Sequence, residues 1–200
     1  MIRRKLKLLF ACILTVVCAS YAVRAVKASI ASSLYLKTRY GFFAETERAG
    51  EPMTDPVKVA YNAERAKSLF PENYHFFSYA AGLSLAAARD AETEDDYLKY
   101  IKKALYYSKY ALDLNPYDET SRRHYTETLA EEGRIAEAIE YWRANVIERE
   151  FWVTINQETF ARLLLRSGDP AHKREAAQML PLVRDPNLRS RITALQRSLK

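Results

Sequence analysis

The feature that most constrains this chain is a lone glycine between two helix-forming runs, "LAEEGRIAEAIEYWR", Leu129 to Arg143. Upstream, "DETSRRHYTETLAEE" opens on Asp118, a residue suited to the N-cap, and Glu119 adds acid to the first turn. Tyr125 and Leu129 stand four apart and share a face. Downstream, Ile135, Ala138, Ile139 and Trp142 recur at spacings of three and four, a second amphipathic stripe. Gly133 adopts a left-handed backbone without steric cost, so it closes the first helix and reverses the chain. Two helices joined by so short a link pack antiparallel. Ala138 is then the small residue where they cross, and Trp142 fills the wider space a turn later.

The plan recurs along the chain. "AKSLFPEN" around Pro71 and "ALDLNPYD" around Pro116 both end a helix with an alanine, one turn, a proline and a polar cap. Between them the spacing predicts helices from Tyr74 to Ala88 and from Tyr97 to Leu114, joined by the polar link "RDAETEDD". Ala104 and Ala111 take the small positions of the second. "QETFARLLLRSGDPAHKREAAQML" repeats helix, glycine and helix with Gly168 and Ala176. A helix from Pro56 to Phe70 pairs with the segment ending near Gly50, and "NLRSRITALQRSLK" closes the stack. No alternating run bounded by turn residues argues for a sheet, and only five glycines interrupt a composition rich in helix formers. The fold class is all-α.

These motifs resemble the tetratricopeptide repeat (TPR) family, whose period is near 34 residues. Gly133, Ala138 and Trp142 match that family's turn, small alanine and large aromatic. Leu129 stands where the first helix usually has tyrosine, Thr126 at the small-glycine position, and Glu150 where the closing proline is expected. Pro71 and Pro116 are 45 residues apart, and the surplus over one period is placed in "RDAETEDD". The resemblance runs from Met53 to Leu182 and implies a short right-handed solenoid of helical hairpins. Such arrays leave a curved face that serves binding.

The amino terminus reads as a transmembrane or signal helix. "MIRRKLKLLFACILTVVCASYAV" has a basic start and sixteen uncharged residues, Leu8 to Val23. That length lies between a signal core and the roughly 20 residues of a full crossing. Arg24 directly follows the small-residue cleavage site after Ala22, and no helix breaker interrupts the sequence up to Gly41. Both favour an uncleaved anchor. Four positive side chains before the span and two after it place the N-terminus in the cytoplasm and the body on the extracytoplasmic or periplasmic side. The domain reading is 1–27 anchor or signal, 28–52 continuing helix and linker, 53–186 TPR-like repeats, and 187–200 a capping helix.

Charge excludes some functions. The net charge of +6 equals the six cations before residue 28, and the remaining 25 basic residues match 25 acidic ones. The middle, 28–160, is acidic, with 16 basic against 22 acidic residues, whereas 161–200 has 9 against 3. Basicity confined to the two ends is no nucleic-acid footprint. Cys12 and Cys18 both lie in the apolar stretch, so no disulfide framework or thiolate metal site is available to the body. His75, His124 and His172 lack partners at metal-ligand spacing and read as surface or interface histidines. No phosphate loop or nucleophile elbow is present, so no catalytic residue, cofactor, metal or small-molecule substrate is implied.

The tyrosines of "YHFFSY" and "YLKYIKKALYYSKY" read first as core, and second as a groove for a peptide or glycan. The candidate partner-binding residues are Tyr79, Arg123, Glu127 and Gln157. Glu127 beside Arg123, and Glu158 beside Gln157, argue against a basic clamp for a peptide carboxylate. Arg189, Arg191, Arg197 and Lys200 read as a solvated helix end, or as a contact with lipid phosphates or an acidic partner. The function expected is a membrane-anchored scaffold for a protein partner, with cell-envelope or surface-polysaccharide assembly or export as its analogy. The alternative is a secreted glycan- or peptide-binding repeat module with its signal removed.

Overall fold

The computed structural model describes residues 2–47, 56–150 and 152–198. The repeat start at Met53, the linker end near Gly50, and Lys200 lie outside them. Helices α1 (Ile2–Glu47), α2 (Pro56–Leu69), α3 (Tyr74–Arg89), α4 (Glu94–Leu114) and α5 (Glu119–Glu131) come first. They are followed by α6 (Ile135–Trp142), α7 (Glu148–Glu150), α8 (Thr154–Ser167), α9 (Pro170–Gln178) and α10 (Pro186–Ser198). Consecutive helices pack on one another from α1 to α6 and from α8 to α10, α6 packs on α8, and α3 also touches α5, so hairpins stack as successive layers. The chain is all-α with a TPR-like architecture and an apolar N-terminal helix.

Local chemistry sets the boundaries. Gly133 has φ +83° and Gly168 +75°. The amide of Arg134 donates to Leu129 O at 2.9 Å and that of Gly133 to Ala130 O at 3.3 Å, which satisfies the last carbonyls of α5. Asn73, Thr93, Asp118 and Asp169 accept first-turn amides of α3, α4, α5 and α9 through their side chains. Ala138 is fully buried and Trp142 is 1% exposed. Its indole N–H donates to Asn156 O at 3.1 Å, tying α6 to α8.

Two details differ from the sequence reading. "RDAETEDD" is not a long link: Arg89 ends α3, while Glu94, Asp95 and Asp96 form the first turn of α4. Thr93 caps that turn, and three acids there suit the positive end of the helix dipole. The surplus over one repeat therefore lengthens the hairpin itself, through a 16-residue α3 and a 21-residue α4. Second, α6 does not stop after Trp142; a π-helical turn, Arg143–Ile147, carries it into α7. Glu150, standing where a proline was expected, instead accepts from Arg122 Nη1 at 3.4 Å.

The up-and-down order gives the solenoid two ends. The proline end holds the connections α2–α3, α4–α5, α7–α8 and α9–α10; the glycine end holds α3–α4, α5–α6 and α8–α9. Helix α1 enters at the proline end, where Ala31, Leu34 and Tyr35 pack with Ala66, Leu69, Phe70 and Phe76. Arg24 pairs there with Glu72 at 2.7 Å. At the far side α10 buries Leu188 and Ile192 in the core, and Arg189 donates to Leu180 O and Val183 O.

Candidate concave binding groove

The first helices of successive hairpins, α1, α3, α5 and α8, lie side by side and form the groove. Its upper part is a cleft of about 320 Å³ between α1, α3 and α5, where Tyr35, Tyr79, His75, Asp118, Thr120 and His124 meet. Its lower part is a cleft of about 220 Å³ between α3, α5 and α8, lined by Arg89, Glu127, Thr159, Arg162 and Arg166.

His124 organises the upper cleft. Its ring lies against Gly82 of α3, so closely that a Cβ at Gly82 would stand 2.7 Å from Cε1 and 2.9 Å from Nε2. Nδ1 lies 3.0 Å from Ser78 O; a carbonyl only accepts, so Nδ1 carries the hydrogen. Burial pushes the His124 pKa below its ordinary value; Glu127 opposes this, and Arg123 adds to it. A neutral imidazole is thus held with Nε2 as an acceptor.

Charge in the lower cleft is already paired. Arg89 contacts Glu127 at 3.2 Å and Glu131 at 3.3 Å, Arg166 contacts Glu131 at 3.1 Å, and Arg162 contacts Asp185 at 2.9 Å. Burial works to raise the Glu131 pKa, but hydrogen bonds and charge from Arg166 and Arg89 together hold it below the ordinary value. Glu131 thereby joins α3, α5 and α8. Three arginines with carboxylate partners offer hydrogen bonds to a ligand but little net positive charge.

Of the four residues singled out in the sequence, Tyr79 lines the upper cleft and Glu127 the lower. Tyr79 meets Tyr35 edge-on at 5.3 Å. Arg123 is half-buried and lines neither cleft, although the sequence placed it on one inner face with Glu127. Gln157 is 5% exposed, so packing leaves little of it for a partner. Its neighbour Glu158 caps the amides of Arg184 and Asp185, both at 2.8 Å. The tyrosines of α4 mostly pack: Tyr107 is buried, Tyr110 lies on Phe77, and the Tyr97 hydroxyl donates to Glu131 O at 2.8 Å. Sequence reasoning missed Arg162 and Arg166. Their four-residue spacing on α8 was the available signal.

No protein-family model matches the chain, and no curated protein does. Solved structures do. A thermophilic TPR protein of Thermus thermophilus superposes with a TM-score of 0.60 at 17% identity, covering 86% of this chain and 98% of that one. YrrB, a TPR protein with an unusual peptide-binding site, superposes with a TM-score of 0.57 at 19% identity, covering 92% and 89%. At these identities the likeness is one of fold.

Proposed function

We propose that this chain is a membrane-anchored scaffold that holds an extended segment of a protein partner in its concave groove and catalyses nothing. The observation that carries the reading is the groove itself: two adjoining clefts on four neighbouring first helices, rich in hydrogen-bonding groups and balanced in charge. That chemistry suits a polar or aromatic peptide better than an acidic chain end. YrrB, whose fold is similar, supports the analogy with its peptide-binding site.

The anchor reading rests on the 28-residue stretch Leu9–Leu36, which contains an 18-residue window of mean hydropathy 2.0. Residues 1–27 act as anchor, 28–52 continue it, 53–186 form the repeats and 187–200 cap them. The N-terminus faces the cytoplasm and the groove faces the other side. The setting is the cell envelope, with assembly or export of a surface polysaccharide as the working analogy.

A photocrosslinker at Tyr79 or Glu127 of the full-length chain, in intact membranes, should trap one recurring protein. Arg162→Glu and Glu127→Arg, both in the lower cleft, should weaken that adduct with the helical signal intact. If both variants fold and keep the partner in full, the groove reading is lost. Alkaline extraction should leave the chain in the membrane pellet; a soluble product beginning near Val23 would favour the secreted module instead.

A further inference from the structure

The two ends of the solenoid differ in what they expose. Among the described residues beyond α1, eight large apolar or aromatic side chains are exposed, and five of them sit at or beside proline-end connections: Leu114, Tyr117, Trp152, Ile155 and Leu182. Tyr61 and Leu98 lie toward the glycine end, in the first halves of α2 and α4, and the three fully described connections there are polar: Asp90 to Thr93, Glu132 to Arg134, and Gly168 with Asp169. Tyr117 is 70% exposed and Trp152 68%. Exposed aromatics gathered at one end mark a contact surface.

Helix α1 says what covers it. Sixteen uncharged residues, Leu8 to Val23, rise about 24 Å, most of the roughly 30 Å of hydrocarbon, so Arg24 marks the exit of such a span. Seven residues later Ala31 is fully buried in the cluster with Ala66 and Phe76. The body therefore begins within about 10 Å of rise from where the span ends. The Arg24–Glu72 pair draws the α2–α3 connection to the exit itself. The proline end faces the layer from which α1 emerges.

We infer that the proline end rests on the bilayer, with Tyr117 and Trp152 in its headgroup layer. This rests on the anchor reading above. Tyrosine and tryptophan favour that layer because the ring meets acyl chain while the O–H or N–H meets headgroup and water. The two connections are held as one unit by Arg122, 1% exposed, whose Nε donates to Pro116 O at 2.8 Å. Its Nη1 reaches Glu150, and its guanidinium lies 5.6 Å from the Tyr117 ring centroid. Glu72, Asp113, Glu119 and Glu148 are exposed at this end and so are Arg149, Arg184 and Arg189, so charge there is near balance and attraction to anionic lipid is not required for binding. Contact with zwitterionic phosphatidylcholine, which has no net charge, suffices and withstands salt.

The full-length chain in phosphatidylcholine vesicles brominated high in the acyl chain tests this. Trp142 is buried, so Trp152→Phe supplies its background, and Glu92→Trp in that variant reports on the glycine end. Trp152 emission should shift to the blue and be quenched, at low and at high salt, while the Glu92→Trp probe stays unquenched. An unquenched Trp152 in a chain that resists alkaline extraction overturns the docking and leaves the anchor standing. Equal quenching of both probes also overturns it. A chain released by alkali removes the anchor and the docking together.

Discussion

The two halves of the stack are packed in different ways. From α5 onward, fifteen buried apolar residues form one continuous cluster that runs through Leu129, Trp142, Val146 and Leu164 to Ile192. Before α5 the buried apolar residues fall into three small clusters, around Phe77 and Tyr107, Leu85 and Ile101, and Ala31 with Phe76. Side-chain size makes the difference. Ala80, Ala81, Ala88, Ala104 and Ala111 let α3 and α4 approach closely, but they reach no further than their own hairpin. The gaps are closed by rings, and by Lys67, whose Nζ lies 4.2 Å from the Tyr107 centroid. A large shared core makes hairpins unfold together, whereas separate clusters leave interfaces that open one at a time.

The sharpest way to break this comparison is Trp142→Ala. It should cost about 3–5 kcal/mol, the usual range for an excavated tryptophan. A lowered denaturant midpoint should come with amide exchange accelerated across α5 to α10 together; acceleration confined to α6 would end the idea of a shared core. Gly82→Ala probes the other half. Its Cβ meets the His124 ring, so a loss of about 1–3 kcal/mol is expected, local to α3 and α5. Adding His124→Ala should restore much of it, and no recovery in that double variant would place the strain elsewhere.

The smallest effect is one of pH. His124 has a lowered pKa in the folded chain, caused chiefly by burial. The neutral ring is favoured in the folded state, so the associated stability is full above the ordinary value of 6.5 and is lost as acidification protonates the unfolded chain first. Protection of α3 and α5 amides, taken relative to the slower intrinsic exchange in acid, should fall on acidification below that value, and His124→Gln should flatten the response. A dependence that persists in His124→Gln would assign it to other groups.

What could be read in the sequence was set by neighbours in the chain. Gly133, Asp118, Ala138 and Trp142 act within one hairpin, and their spacing announced it. Thr93 was readable too, since a threonine before three acids is a helix start, but period counting hid it inside a link. The groove was harder. His124 faces Ser78 and Gly82 across a gap of some forty residues, and Glu131 collects Arg89 and Arg166 from either side. Such partners are chosen by how layers stack, and no periodicity along one helix encodes that offset. The π-helical turn after Trp142 shifts the helix phase in the same hidden way.

Helix α1 is unbroken from Ile2 to Glu47, and that continuity makes it a clock hand. Each residue advances an α-helix by about 100° and 1.5 Å. One residue added between Arg24 and Ala31 would swing the apolar stretch about a quarter-turn around the body and detach Arg24 from Glu72. Seven added residues would bring it back to within about 20° of its first bearing, some 10 Å further out. The compass heading of the groove is thus written in residue count, and evolution can change that heading only in coarse steps.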